Sequence, residues 1–227
     1  MNTRFNFWQN KYHGRINYRF TPCVRYAKAR HIIGVLIGRA DAFKGNRNPR
    51  EKIYLKAWGN NLNQHTANIE ALIKLLLAEN WQVILIGGKQ ELDVHDALSL
   101  EVLNKCVDYV GKTSVAESIA LASLCDVVVG IDTGMQHVSD ALGVKTVSIF
   151  GPTMPSQCGA YSDKAIFAEV NEPCRPCFGT EQGFKCKHRK CTTKITPERV
   201  FELIIRQLNS QNKESYKENY YVFTQRY

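Results

Sequence analysis

The chain has 227 residues, a net charge of +9 and 44% hydrophobic residues. That apolar fraction is enough for a hydrophobic core, so the composition argues against a disordered chain. No run of 18 or more apolar residues is present, and residues 1–10 lack the apolar segment of a secretory signal. The sequence therefore predicts a soluble, cytoplasmic protein.

Positive charge is concentrated at the N-terminus, where residues 1–56 contain thirteen Lys or Arg residues and only two acids, Asp41 and Glu51. Seven aromatic residues lie between Phe5 and Tyr26 within this basic segment. The mixture suits a nucleic acid, an anionic membrane surface or an acidic glycolipid. It is equally typical of a solvated basic face with some core aromatics, and the sequence leaves both interpretations open.

From Glu51 onwards, short β-rich runs alternate with segments of helical periodicity, which predicts βαβ units and a parallel sheet. Strands are predicted at 53–57, 82–86, 107–110, 126–131 and 145–150. Helices are predicted from a Thr66 cap through Leu76, over 91–105, from the capping box of Ser114 and Glu117 to Ser123, and from Gly134 to Gly143.

Five strands joined by four helical crossovers predict an α/β fold with a doubly wound, Rossmann-like parallel sheet. Residues 165–170 are expected to add an edge strand and residues 31–38 one more buried strand. A last helix is predicted over 198–208, with Thr196 as its cap and Pro197 in its first turn. The predicted division is an N-terminal remnant and linker at 1–50, a Rossmann-like domain at 51–208, and a tail at 209–227.

The most informative motif is Asp132-Thr133-Gly134-Met135-Gln136-His137, which joins a buried strand to a helix. Turns at the carboxyl ends of parallel strands bind ligands, and the free N–H groups of the following helix attract phosphate. The motif therefore predicts an anion-binding corner.

Four cysteines form a C-x2-C-x8-C-x4-C pattern in a segment with few hydrophobic residues, namely Cys174, Cys177, Cys186 and Cys191. Paired thiolates two residues apart suit tetrahedral zinc, and His188 offers a substitute ligand. Free or oxidised thiols and a redox role are the alternatives that the sequence leaves open. In each case we expect the cluster to hold the loop after Val170 in place.

Three separated motifs resemble the C-terminal half of glycosyltransferase family nine, the bacterial lipopolysaccharide heptosyltransferases. They are 111–114 (GKTS), 126–137 (DVVVGIDTGMQH) and 148–153 (SIFGPT), in the same order and spacing. The segment 173–177 (PCRPC) with the two later cysteines also resembles the C-terminal region of many members. The similarity covers roughly residues 53–208.

The resemblance implies the two-domain GT-B architecture, with a C-terminal domain that binds a nucleotide sugar, usually ADP-heptose. It also implies sugar transfer to a lipid A or core acceptor of lipopolysaccharide, without a metal or other cofactor in catalysis, at the cytoplasmic face of the inner membrane. A structural zinc at the cysteines would be separate from that chemistry.

Carried over residue by residue, the resemblance predicts that eight residues line the nucleotide-sugar pocket: Asp132, Thr133, Gly134, Met135, His137, Thr113, Thr153 and Glu91. The N–H groups after Gly134 would hold the diphosphate, and His137 would donate to a phosphate oxygen. Taken singly, Asp132 could instead cap the helix, Gly134 could serve helix packing, and His137 could be a surface residue. Lys56 and Trp58 resemble a lysine and a tryptophan of the family near the first strand, but they lie at or inside the predicted strand.

The N-terminal region differs from the family pattern, because at most fifty residues precede the predicted donor domain. No catalytic base is assigned, and Asp41 is the one acid among those fifty residues. Three accounts remain open: a truncated gene product, a donor subunit that pairs with a separate acceptor chain, or a reduced enzyme whose basic N-terminus binds the acceptor. A nucleotide-sugar-binding protein without catalysis is the alternative to a transferase, and nucleic-acid binding is the weakest hypothesis because no recognised motif accompanies the charge.

Overall fold

The computed structural model describes residues 31–37, 41–43, 52–54 and 58–210. The predictions for the basic aromatic segment 1–30 and for nearly all of the tail lie outside the described residues. Within the described part, no helix combines the length and the apolar character that a membrane span requires.

Six parallel strands form the main sheet, in the order β5-β4-β1-β6-β7-β8. Their bounds are β1 Ile32–Leu36, β4 Gln82–Ile86, β5 Val107–Asp108, β6 Val127–Ile131, β7 Lys145–Ile149 and β8 Ala165–Ala168. This order confirms the predicted α/β fold with a doubly wound, Rossmann-like sheet. The expected edge strand near residue 165 is present as β8, which pairs with β7.

Helices cover the sheet and connect its strands. They are α1 Leu62–Ala78, α2 Leu92–His95, α3 Leu100–Leu103, α4 Val115–Ser123, α5 Gly134–Ala141, α6 Pro155–Cys158, α7 Glu181–Lys185, α8 Lys190–Thr193 and α9 Pro197–Asn209, with a 3₁₀ turn at Lys89–Glu91.

Both faces of the sheet are buried, which explains why strand β6 is a continuous apolar run. Val127 and Val129 pack on the side of helices α1 and α9, whereas Val128 packs on the side of helix α4. Successive side chains of a strand point to opposite faces, so one run of valines serves two core clusters. The resulting sheet is a rigid support for the loops at its carboxyl edge.

Strand β1 lies at the centre of the sheet, between β4 and β6. Among the described residues, the first strand of the sheet thus starts at Ile32, ahead of the predicted boundary between residues 50 and 51. The predicted strand at 53–57 is wrong as a member of this sheet, because Lys52–Tyr54 forms strand β3 of a separate antiparallel hairpin with β2, Asp41–Phe43. The pairing of β1 across 50 residues of sequence is a long-range contact that local periodicity does not reveal.

Helix ends test the predicted caps. Ser114 and Glu117 form the predicted capping box of α4, and Thr196 caps α9. The predicted Thr66 cap is wrong, because α1 begins earlier, with the Asn61 side chain accepting a hydrogen bond from the N–H of Gln64 at 2.9 Å. The single helix predicted over 91–105 is also wrong: it is divided into a 3₁₀ turn, α2 and α3.

Candidate functional site

The motif at Asp132 lies at the point where the order of the sheet reverses. From β1 the chain continues to β4 and β5 on one side, and later to β6, β7 and β8 on the other. The carboxyl ends of β1 and β6 therefore border a crevice, which is where open parallel sheets bind ligands. Asp132 follows β6 directly and stands at this edge.

Asp132 is a buried carboxylate with partners from two neighbouring segments. Its Oδ2 atom accepts a hydrogen bond from the hydroxyl of Thr153 at 2.9 Å. Its backbone N–H donates to the carbonyl of Ile149 at 3.2 Å. Its Oδ1 atom lies 3.8 Å from Nε2 of His137, whose side chain is 43% exposed whereas that of Asp132 is 6% exposed. The carboxylate therefore lies behind an accessible imidazole.

Helix α5 begins at this corner with an open N-terminus. Thr133 is the N-cap residue, its side chain makes no capping bond, and the first turn of the helix contains no acid. A Cβ atom placed on Gly134 would meet no heavy atom within 4 Å. Gly134 consequently does not serve close helix packing, and the amide end of α5 is accessible to an anion.

The first turn of α5 divides its residues between the ligand side and the core. Gly134 and His137 are exposed. The Met135 side chain packs against the core cluster shared with α4, so this residue can reach an anion only through its backbone N–H. Gln136, which the sequence analysis did not select, is buried and donates from Nε2 to the carbonyl of Val147 at 3.3 Å. Its amide fixes the helix start to strand β7.

Thr113 and Glu91 lie beyond the carboxyl ends of β5 and β4, on the same edge of the sheet but on the other side of β1. The Thr113 hydroxyl is 2.8 Å from that of Ser118. Glu91 is 5% exposed, and its carboxylate accepts a hydrogen bond from the N–H of Gly88 at 2.7 Å. Glu91 therefore shapes the loop after β4.

Thr153 belongs to the Gly151-Pro152-Thr153 loop, which is held from behind by Arg175. The guanidinium donates to the carbonyls of Gly151 at 2.6 Å and Thr153 at 2.7 Å, and it also contacts the carboxylate of Glu169 at 2.8 Å. Sequence reasoning missed this residue. The one signal in the sequence is that this arginine stands between Cys174 and Pro176.

The four cysteines belong to the segment that packs behind the same loop, where the N–H of Cys177 donates to the carbonyl of Pro152 at 2.9 Å. Burial raises the pKa of the Cys191 thiol to about 11, and burial followed by the negative charges of Cys174 and Cys186 raises the pKa of Cys177. Across the residues that the structure describes, no three His, Cys, Asp or Glu side chains are grouped so that they could hold a metal ion. The four thiols therefore do not form a ready ligand cluster among these residues, and zinc binding at the four cysteines stays a prediction.

Of the two further residues considered for the site, Lys56 and Trp58, the structure describes Trp58. Trp58 is buried, and its indole N–H donates to the carbonyl of Ile195 at 2.7 Å. It is a structural link to the residue that precedes Thr196, the N-cap of helix α9. Lys56 and the side chain of Asp41 lie outside the described residues.

The comparison with known families matches residues 64–188 to the model described as glycosyltransferase family 9 (heptosyltransferase), which is more than half of the chain. The chain belongs to glycosyltransferase family 9. This result confirms the resemblance based on the three motifs, and residues 111–114, 126–137 and 148–153 all fall inside the matched region.

Individual relatives agree with the family. Lipooligosaccharide heptosyltransferase 2 of Campylobacter jejuni is 27% identical over 147 residues, covering 61% of this chain and 45% of the relative. The structure of E. coli ADP-heptose lipopolysaccharide heptosyltransferase II has a TM-score of 0.59 at 24% identity, covering 80% of this chain and 47% of that one. E. coli heptosyltransferase WaaC with ADP has a TM-score of 0.51 at 16% identity, covering 79% and 44%. The chain thus spans less than half the length of each of these proteins, and the structural likeness supports the fold of one GT-B domain.

Proposed function

We propose that the crevice at the carboxyl ends of β1 and β6 binds a nucleotide sugar, and that its diphosphate lies against the open N-terminus of α5. The observation that carries this proposal is the empty space around Gly134 beside the exposed imidazole of His137. The N–H groups of a helix start and the helix dipole favour a diphosphate at this position. The eight predicted site residues then divide into direct contacts and supports.

Gly134, Met135 and His137 would contact the diphosphate, the first two through backbone N–H groups. Asp132 would orient His137, and Thr153 would orient Asp132. Thr133, Thr113 and Glu91 would border the pocket along the edge of the sheet. The buried carboxylate of Asp132 would repel a phosphate bound directly against it, which favours a donor group such as His137 between the two.

The donor that we propose is ADP-heptose. The family description supports a heptosyl donor, and one solved structural neighbour holds ADP. The product of transfer is a nucleoside diphosphate whose new negative charge would be stabilised by the same amides and by His137. Removing one preorganised donor of this kind typically costs about 10²–10³ in rate.

The proposed reaction is transfer of heptose to a lipopolysaccharide core acceptor at the cytoplasmic side of the inner membrane. An inverting transfer needs a base that deprotonates the acceptor hydroxyl on the face opposite the leaving diphosphate. The alternative is a donor-binding domain that needs a separate acceptor domain or partner chain, and the two hypotheses differ in whether ADP release depends on an acceptor.

Calorimetric titration of the full chain with ADP, UDP and GDP tests the donor site, and we expect ADP to bind most tightly. An ADP-release assay with ADP-heptose and a lipid A–core acceptor then separates the two hypotheses. Release that depends on the acceptor supports the transferase. Binding of ADP without acceptor-dependent release supports the donor-binding domain, and absence of ADP binding would overturn both.

A further inference from the structure

The loop after β7 presents three successive carbonyl groups to the cysteine segment, and all three are bonded there. Nε of Arg175 donates to the carbonyl of Gly151 at 2.6 Å, and Nη2 of the same side chain donates to the carbonyl of Thr153 at 2.7 Å. The carbonyl between them, that of Pro152, accepts from the N–H groups of Cys177 at 2.9 Å and Phe178 at 3.1 Å. The backbone of this loop is therefore fixed along its whole length.

The Arg175 guanidinium is suited to this task because it is buried and charge-compensated. Its side chain is 3% exposed, and the carboxylate of Glu169, at 2.8 Å, is 9% exposed. The same guanidinium also donates to the carbonyl of Val170. A planar fork with several fixed N–H directions can hold such diverging acceptors, whereas the single ammonium of lysine cannot reach them all.

Thr153 connects this buried network to the proposed donor site. Its carbonyl is held by Arg175, and its hydroxyl donates to Oδ2 of Asp132 at 2.9 Å. The other carboxylate oxygen of Asp132 faces Nε2 of His137 at 3.8 Å. A shift of the loop would rotate the threonine hydroxyl away from the carboxylate and leave the imidazole less well oriented.

We propose that Arg175 is a positioning residue of the nucleotide-sugar site, which holds Thr153 so that its hydroxyl orients Asp132 and, through it, His137. This inference rests on the proposed function for the identity of the ligand. The competing explanation is that Arg175 only closes the cysteine segment onto the sheet. The two explanations predict different outcomes at His137 when the guanidinium of Arg175 is replaced by the single ammonium group of lysine.

The first measurement needs no nucleotide, and it records the imidazole resonances of His137 by NMR in the full chain. We expect Arg175→Lys and Thr153→Val each to shift these resonances in the same direction. Glu169→Gln is the matched control, because it removes the charge but keeps Arg175 and its carbonyl contacts, so it should lower the unfolding temperature without moving His137. Unchanged His137 resonances in folded Arg175→Lys would overturn the positioning role.

The second measurement is a double-mutant cycle on ADP affinity. Arg175→Lys and Thr153→Val should each weaken binding by about tenfold, and the double variant should be no more than about twofold weaker than either, because both changes act through the same hydroxyl. If the two effects multiply, so that the double variant binds ADP nearly a hundredfold more weakly, the proposal is overturned. Arg199→Lys on helix α9, where the arginine forms an exposed ion pair with Glu202, should leave affinity unchanged.

Two further outcomes are separable. If Arg175→Lys does not fold, the double variant with Arg175→Gln and Glu169→Gln is used in its place, because it removes both buried charges together. The expected results are the same. If the wild-type chain does not bind ADP, the proposed function fails, while the His137 resonances in nucleotide-free protein still decide whether Arg175 positions the site.

Discussion

Thr153 donates its hydroxyl hydrogen bond to the buried carboxylate of Asp132, and this contact joins the loops after β7 and β6 across 21 residues of sequence. Neighbouring parallel strands bring the two loops to one edge of the sheet. The hydroxyl fills one acceptor position of the carboxylate, while the other oxygen faces His137. The carboxylate that faces the imidazole is therefore held by a residue that follows a different strand.

Gly134→Ala should separate ligand binding from stability. The free energy of unfolding should change by less than about 0.5 kcal/mol, because a Cβ atom at this position meets no neighbour within 4 Å. ADP affinity should fall at least about tenfold, since the methyl group would occupy the space in front of the helix amides. Thermal unfolding and calorimetry measure the two effects.

Gly143→Ala, at the other end of α5, is the matched control and should give the opposite result. Gly143 has a φ of +77°, which alanine adopts only with strain, so the variant should lose about 1 kcal/mol of stability. Its ADP affinity should equal that of the wild type. Equal affinity of wild type and Gly134→Ala would remove the N-terminus of α5 from the site.

His137→Ala should weaken ADP binding by about tenfold or more and leave adenosine binding unchanged, because the imidazole is proposed to donate to the diphosphate and not to the nucleoside. The unfolding temperature should not move, since the side chain is 43% exposed. His188→Ala, at an exposed position beside Cys186, is the control and should bind ADP normally. A parallel loss of adenosine affinity would argue against a diphosphate contact.

Alkylation of the native chain should reveal the state of the cysteine cluster. At neutral pH, Cys177 and Cys191 should react more slowly than Cys174 and Cys186, because burial raises the pKa of the first two thiols and the thiolate is the reactive form. The reactivity of Cys191 should rise as the pH approaches about 11. Mass spectrometry of the labelled peptides gives the rates.

Metal analysis of the same sample is the control for that experiment. One equivalent of zinc, with all four thiols protected until a chelator is added, would support the predicted zinc site. Zinc-free protein with unequal labelling would support free thiols.

Glu70 should contribute to the acid sensitivity of the fold. Hydrogen bonding to Lys74 and then to the N–H of Ser99 lowers the pKa of the Glu70 carboxyl in the folded chain. A lowered folded pKa stabilises the protein above the unfolded pKa, near 4.3, and this contribution is lost as the pH falls through the folded value. Glu70→Gln should therefore lower the unfolding temperature at pH 7 by about 2–4 °C, with the difference disappearing as the pH falls through the folded pKa of Glu70.

Glu101→Gln is the matched control for this pH series. Glu101 also pairs with a lysine four residues away, Lys105, but its side chain is 69% exposed. Solvent screens such a pair, so the substitution should change the unfolding temperature little at any pH. Equal effects of the two substitutions would show that the contact with Ser99 adds nothing.

The sheet and the corner at Asp132 could be predicted because their signals are local. The apolar run of β6 stands directly before the motif, and parallel sheets place such turns at one edge. The central place of β1 could not be predicted in this way, because its partners, β4 and β6, are distant in sequence. A strand far from its partners carries no local mark of its position in the sheet.

The supports of the site were also beyond local reasoning. Arg175 reaches Gly151 across 24 residues, and Gln136 reaches Val147 across 11 residues. Each is a polar side chain whose role depends on burial, and burial is set by the assembled sheet. The motif thus revealed the groups that face the ligand, and the structure revealed those that hold them in place.

The most direct test of the donor site is the backbone amide resonance of Gly134 during titration with ADP and, separately, with adenosine. We expect the amides of Gly134 and Met135 to shift with ADP and to stay unchanged with adenosine, because only ADP carries the diphosphate. Saturable ADP binding that leaves both amides unmoved would contradict the proposal that the diphosphate lies at the start of α5.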